Sequence, residues 1–586
     1  MVISKMKISR LSLLMVFCVV SFFASNLLGF AGRSDISSDQ AKILQQNLIQ
    51  NLKDSIPKWL SDYNIPAMAI AVVNGQGIVW DAEFGYTTDE KTAAVDSQTL
   101  FSIQSISKNV TALAVLKAVQ DGLLDLDVPI THYLPEFTVK SRFEKNPEQK
   151  ITLRHLLSHW SGLTHSAPVG NGTDGPIPFE AHINSIADTW LKYPVGYGFS
   201  YSNLGVDLAG YILQKVSGLP FDEYVKTNIL DPLGMSHSTF NLDVIRSSFN
   251  CAHGHYEEFP VPPVQIPMIP AGGLYSNSED MAKLIQFHIN KGMVKGKQFL
   301  SKDLMEQMHS AAFPVKGQRI CYGLCMNTER TIKGVREIYH TGSGYGFMCA
   351  MHIFPALNMG TVLLYNSQDY GARTENNKVN IQTISELIEK EGSVDVNSFV
   401  EGLNAVEAED PRIKEITGVF LPDIDSPEIK IEIRDGLLIL DTGGSSGQVQ
   451  IYTGEDGKLV GLIKDRHYLE FLPPLEGKSK GDIRLLTYGG MSLMCFSHKP
   501  IEKDDKPGPN KPEWQKIAGT YNTYHFLKEN KDSFEISIEN GYMCFDSKRC
   551  REFRPGLFFT PDGEILDVRG DQPKYRNFTL IKEPVF

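Results

Sequence analysis

The stretch Phe101-Ser-Ile-Gln-Ser-Ile-Ser-Lys-Asn-Val110 sets a serine and a lysine three residues apart at the head of an apolar periodic run. Val110, Leu113, Ala114, Leu116 and Ala118 recur at helical spacing and Asp121-Gly122 closes the run, so a buried helix is expected behind a short extended lead-in, Thr99-Leu100-Phe101. Residues three apart share a helix face, which lets the Lys108 amine lie beside the Ser105 hydroxyl. A serine hydroxyl is a weak nucleophile until a neighbouring base takes its proton, and a lysine serves as that base when burial or nearby cations depress its pKa. A chain this long holds roughly two or three Ser-x-x-Lys matches by chance, and Ser4 with Lys7 is one. The helical context sets Ser105 apart from it.

Upstream, Lys5, Lys7 and Arg10 precede an apolar run from Leu11 to Phe23, and Gly29-Phe30-Ala31 offers a small-x-small cleavage site. This reads as a secretory signal over residues 1–31. The same run read through to Phe30 gives about 20 largely apolar residues, enough for an uncleaved anchor. Cleavage is the preferred reading and predicts a secreted or periplasmic chain with no membrane segment after the signal is removed.

The 586 residues exceed one ordinary core, and 42% hydrophobic with 22% charged residues is a globular composition. The formal charge of −12 becomes −15 without Lys5, Lys7 and Arg10, which argues against nucleic acid as a partner. Of eight cysteines, Cys18 lies in the leader, and the remaining odd number cannot all pair within one chain. Cys321 with Cys325, or Cys544 with Cys550, is a candidate pair. No His and Cys spacing suggests a metal, and no cofactor is expected.

Further along, Ile65 to Trp80 holds two apolar runs about a Gly-containing turn, a hairpin pattern. Ile151-Thr-Leu-Arg-His-Leu-Leu-Ser-His-Trp-Ser-Gly-Leu163 reads as a helix closed by its glycine, with His155 and His159 as structural residues. Phe199-Ser-Tyr-Ser-Asn-Leu-Gly205 leads into an apolar helix from Val206 to Val216. Its Tyr201 can relay a proton and its Asn203 can orient an amide. The tripeptide recurs as Tyr275-Ser276-Asn277, where Ser276 and Glu279 read as a capping box. A third segment, His340-Thr341-Gly342-Ser343-Gly-Tyr-Gly346, reads as a strand passing into a hairpin, with small residues that let backbone N–H groups approach a ligand.

Ser105-x-x-Lys108, Tyr201-x-Asn203 and His340-Thr-Gly342, in that order, resemble the serine β-lactamase and penicillin-binding protein superfamily, in its class C and D-aminopeptidase-like branch. Leu123-Leu-Asp-Leu-Asp, Asp231-Pro-Leu-Gly-Met235 and Pro270-Ala-Gly-Gly-Leu274 extend the likeness over about Ile65 to Asn366. The resemblance implies an α+β catalytic domain, an antiparallel sheet flanked by helices plus an all-helical region. It implies that Ser105 attacks a carbonyl while Lys108 and Tyr201 share proton transfer, in either order. Asn203, His340, Thr341, Gly342 and Ser343 would bind substrate, with the N–H groups of Ser105 and Ser343 as oxyanion hole. Many members carry lysine where this chain has His340, so strong β-lactamase activity is not expected. A histidine with an ordinary pKa near 6.5 would bind carboxylates better as pH falls towards about 6.

The catalytic domain is expected over residues 32–395, ending near a helix from Val379 to Glu391. Short alternating runs then predict an antiparallel β domain over 410–500, a charged, proline-rich linker over 501–513 and a second β domain over 514–586. Ile517-Ala-Gly-Thr-Tyr521 echoes Ile416-Thr-Gly-Val-Phe420, and Phe534 to Gly541 echoes Ile429 to Gly436. Both are read as barrel-like, lipocalin-like units that shape the active-site mouth, assist oligomerisation or act as spacers. Three functions follow: an exported hydrolase of D-amino-acid peptides or amides, a short-chain esterase of the same fold, or a non-catalytic binding or assembly protein. The expected partner is a small-molecule or peptide substrate, and an oligomer is compatible with the chain.

Overall fold

The computed structural model describes residues 38–582 apart from 171–176, 257–258, 265, 315–320, 333–334, 388–399, 401, 408, 423–428, 442–445, 455–456, 464–466, 473, 475–480, 482, 488–491, 500–510, 525–530, 540, 561–563 and 576–577. The expected signal and most of the expected linker lie outside these residues. Among the described residues no helix is long and apolar enough to cross a membrane.

Alternation decides the layering of the first unit. In strand β1 (Ala67–Asn74) the odd positions Ala67, Ala69, Ala71 and Val73 enter one core, and the even positions Met68, Ile70 and Val72 enter another. A strand apolar on both faces must sit inside a sheet covered on both sides. It pairs with β2 (Gly77–Gly85) in the expected hairpin and, on its other edge, with β7 (Met359–Tyr365). With β3 (Cys321–Tyr322), β4 (Asn327–Ile332), β5 (Val335–Gly344) and β6 (Phe347–Phe354) the antiparallel order is β2-β1-β7-β6-β5-β4-β3.

One face is covered by helix α1 (Ser38–Asp62), which buries Leu44, Leu48, Leu52, Ile56 and Trp59 at helical spacing, and by α5 (Gly371–Leu387). On the other face lie α2 (Ser107–Gln120), α3 (Asn203–Ser217) and α4 (Ser278–Ile289). The expected helix over Ile151 to Leu163 is shorter, Leu153–Leu157, begun by a Thr152–His155 capping box. His159 has φ +64 and turns the chain away. The second Tyr-Ser-Asn copy also caps differently: Asn277, not Ser276, accepts from the Asp280 N–H at 2.8 Å. Cys321, Cys325, Cys544 and Cys550 are all free thiols, so neither candidate disulfide is formed.

The first β unit begins earlier than expected, with a short strand Asn404–Val406. Eight strands then run up and down from Gly418–Pro422 to Ser492–Lys499, and the last pairs with the first, closing a barrel. Ile429 and Ile431, Leu438 and Leu440, and Val449 and Ile451 fill its interior. Strand Leu459–Ile463 is buried at all five positions, because Val460 and Leu462 point out of the barrel onto Trp160 of the first unit.

The second β unit repeats the opening of the first. A short helix (Ile413–Ile416, then Pro512–Gln515) leads into a strand whose glycine has a similar φ, +151 at Gly418 and +149 at Gly519, followed by a hairpin. Its described strands form two five-stranded antiparallel sheets around one core containing Trp514, Ile536, Phe545 and Phe558. Lys192 pairs with Glu564 at 3.6 Å and Arg554 covers the Trp190 ring, joining this unit to the sheet-and-helix unit that holds Ser105.

Phe420 is fully buried in the barrel. Phe420→Ala should lower the hydrogen-exchange opening free energy of strand Ile429–Arg434 by about 3–5 kcal/mol and leave β6 unchanged. An equal loss in both would mean the units unfold together.

Candidate active site

Ser105 lies in a 3-10 turn, Gln104–Ile106, immediately before α2. Gln104 has φ +48, a left-handed conformation that a non-glycine residue holds only when its surroundings demand it. One of those demands is visible: the Gln104 Nε2 donates to Ser102 Oγ at 2.7 Å. Lys108 sits in the first turn of α2 with no exposure to solvent. Its Nζ donates to Ser105 Oγ at 2.9 Å and to the Ala271 carbonyl at 2.8 Å, and lies 5.1 Å from the centre of the Tyr201 ring. The sequence-derived pairing of Ser105 with Lys108 is therefore a direct contact.

Tyr201 and Asn203 flank the N-cap of α3. Ser202 is the cap, accepting from the Gly205 N–H at 3.1 Å and donating to the Thr164 carbonyl at 2.6 Å. Asn203 Nδ2 reaches Met268 Sδ at 3.6 Å, while its Oδ1 is buried and has no hydrogen-bond partner among the described residues. An unsatisfied buried acceptor costs about 1–3 kcal/mol, so this oxygen is suited to an amide N–H brought by a ligand.

His340, Thr341, Gly342 and Ser343 run along β5 in register with Met351, Ala350, Cys349 and Met348. A Cβ on Gly342 would stand 2.3 Å from the Ile103 carbonyl, so only glycine lets this strand lie against the Ser105 turn. Ser343 Oγ accepts from Gln368 Nε2 at 2.9 Å.

His340 differs from its expectation. It is buried, and its Nδ1 faces the Thr341 carbonyl at 2.8 Å, so that nitrogen carries the proton. Its Nε2 therefore accepts from the Tyr322 hydroxyl at 2.9 Å. Tyr322 in turn lies 3.3 Å from His159 Nε2, and His159 Nδ1 accepts from the Ser202 N–H at 3.1 Å. The proton order His159 to Tyr322 to His340 leaves every member neutral. Burial, then the nearby Lys108 charge, pushes the His340 pKa down to about 3, and the same two causes hold His159 well below its ordinary value. His340 is not a cation that switches near pH 6.

His159 and Tyr322 were not legible as site residues. The ring of His159 packs 4.3 Å from that of Tyr201, and Tyr322 comes from the two-residue strand β3. The one available signal was the histidine inside Leu156-Leu-Ser-His159-Trp-Ser-Gly162, which falls within the span of the resemblance. His155 goes elsewhere, stacking on Phe313 at 4.8 Å, so the two histidines do not converge as a metal pair.

Sheet, helical region and the Ser105–Lys108–Tyr201 cluster together define the serine β-lactamase and penicillin-binding protein superfamily. A sequence model of the β-lactamase family matches residues 45–384, and the chain belongs to that family. Beta-lactamase-like protein 2 of Dictyostelium discoideum is 28% identical over 298 residues, 49% of this chain and 54% of that protein. Protein flp of Staphylococcus aureus (strain MW2) is 25% identical over 327 residues, 54% of this chain and 63% of that protein. The chain thus spans less than two thirds of either relative. The octameric penicillin-binding protein homologue from Pyrococcus abyssi superposes with a TM-score of 0.50 at 22% identity, covering 77% of this chain and 100% of that one. It shares the fold.

The folded pKa of His340, about 3, lies below the unfolded value of 6.5. On acidification the unfolded chain binds this proton first, so the stability present above pH 6.5 is lost as pH falls towards 3, by up to about 1.4 kcal/mol per pH unit. The denaturation midpoint should fall between pH 7 and 5, and His340→Gln should flatten that fall. Imidazole nitrogen shifts should show neutral His340 at pH 5, and an imidazolium signal there would contradict the assignment.

Proposed function

We propose that the chain is an exported serine hydrolase that forms an acyl-enzyme at Ser105, acting on D-amino-acid-containing peptides or amides. The observation that carries this reading is the buried Lys108 amine, 2.9 Å from Ser105 Oγ and against the Tyr201 ring. In this mechanism Ser105 Oγ adds to the carbonyl carbon and its proton passes to the Lys108 and Tyr201 pair. The N–H groups of Ser105 and Ser343 would hold the oxyanion, and Asn203 Oδ1 would accept from the substrate amide. The proton taken from Ser105 then passes from the Lys108 and Tyr201 pair to the leaving amine as the tetrahedral intermediate collapses. Water next attacks the acyl carbon and gives a proton to the same pair, which returns it to Ser105 Oγ as the acyl C–Oγ bond breaks.

The neutral, buried His340 supports substrates that need no fixed cation on β5. It favours D-aminopeptidase-like amide cleavage over recognition of a free carboxylate, as in a D-Ala-D-Ala carboxypeptidase. The same feature favours a second reading, a short-chain esterase. A non-catalytic binding role gives no reason for the Ser105–Lys108 contact.

D-alanine p-nitroanilide, its L form and p-nitrophenyl acetate, offered to the protein from Gly32 onward, separate these readings. Turnover of the D-amide should exceed that of the L-amide and fall on the order of 10⁶-fold in Ser105→Ala. Turnover of the acetate alone would favour the esterase. Folded protein without Ser105-dependent turnover on any of the three would count against both.

A further inference from the structure

Lys108 reaches Ser105 because a carbonyl on its other side holds it, and that carbonyl is itself held. Ala271 lies in the short helix Ile269–Gly272, too brief to fix its own backbone. Two side chains fix it from outside. Thr111 Oγ1, one turn beyond Lys108 on α2, donates to the Pro270 carbonyl at 2.7 Å. Asp207, one turn beyond Asn203 on α3, accepts the Ala271 N–H through Oδ1 at 2.9 Å.

Asp207 has no exposure and is not part of the chemistry described above. Its second oxygen, Oδ2, lies 3.1 Å from His182 Nε2, and His182 Nδ1 lies 2.8 Å from the Val169 carbonyl. Both ring nitrogens thus face acceptors, so both carry protons and His182 is an imidazolium paired with a carboxylate. Burial opposes that charge, but the bond to Asp207 and its charge outweigh burial, and the His182 pKa is raised. Buried charges are kept only when paired and hydrogen-bonded, and removing one partner strands the other. A pair this costly in the interior needs a reason.

We propose that Asp207 and His182 form a positioning pair for the nucleophile's lysine. Asp207 holds residue 271 so that its carbonyl meets the Lys108 amine, and His182 ties the same carboxylate to Val169, in the segment that carries His165 beside Asn203. One buried pair thereby fixes the Lys108 side of the site relative to the Asn203 side. This rests on the proposed acyl-serine chemistry.

The test uses the full chain and a fluorophosphonate probe, whose phosphorus takes Ser105 Oγ as fluoride leaves. Labelling of the Ser105 peptide is followed by mass spectrometry at several probe concentrations, with thermal melts alongside. Asp207→Ala should slow the limiting labelling rate by about 10- to 100-fold with little change in the half-saturating concentration, as expected for a displaced catalytic group. Asp207→Asn should stay within about 3-fold of the parent, since its Oδ1 still accepts from Ala271 N–H and its Nδ2 donates to a neutral His182. Thr111→Val removes the other hold on the same turn without a buried charge, and should slow labelling even if Asp207→Ala fails to fold. Parent-like labelling in Thr111→Val and Asp207→Ala, or Asp207→Asn as slow as Asp207→Ala, would overturn the positioning role. A parent chain that does not label at Ser105 would instead overturn the acyl-serine reading and this role with it.

Discussion

A lysine amine with no access to water and, among the described residues, no carboxylate beside it is the constraint on which this site depends. Solvation lost on burial has to be replaced by acceptors, and Lys108 finds the Ala271 carbonyl, the Ser105 hydroxyl and the face of the Tyr201 ring. None of these is an anion. The groups around it are correspondingly uncharged: His159 and His340 are kept neutral, and burial pushes the Cys325 thiol up to about 12. A carboxylate in this shell would tie up the amine as an ion pair.

The fold answers that constraint through close backbone approach. Central strands buried on both faces carry mainly apolar side chains, the buried His352–Glu337 pair aside, and the polar groups of the site collect where α2, α3 and the edge of β5 meet. Gly342 is the point of contact between β5 and the Ser105 turn. It brings the Ser343 peptide alongside that turn, and the left-handed Gln104 aims the turn at it. The substitution of histidine for a lysine at position 340 then changes more than one charge. The imidazole turns inward and joins β5 to the Tyr201 segment through Tyr322 and His159.

What the sequence made legible was short in range. Ser105 and Lys108 are one turn apart, Tyr201 and Asn203 flank one cap, and alternation in Ile429 to Leu440 reveals barrel strands without any tertiary information. What it hid was set by long-range packing. His159 leaves its helix through a positive φ that no periodicity announces, and Tyr322 is 163 residues from the histidine it meets. Asp207 sits in an apolar helix where nothing local betrays its partners at residues 182 and 271. The halt of the Leu153–Leu157 helix was likewise invisible, because Trp160 is drawn off to a surface made some 300 residues later.

That last surface bears on the order in which the protein matures. Trp160, Phe199 and Phe313 pack with Val460, Leu462 and Tyr468 on the outside of the barrel, and Phe199 also lies edge-on to the His159 ring. A ribosome delivers the two sides of this contact far apart in time. Until the barrel strands have emerged and closed, three large apolar side chains beside the wall of the site face water, a surface of the kind on which nascent chains associate wrongly. The finished wall of the reaction centre is therefore a late product of synthesis.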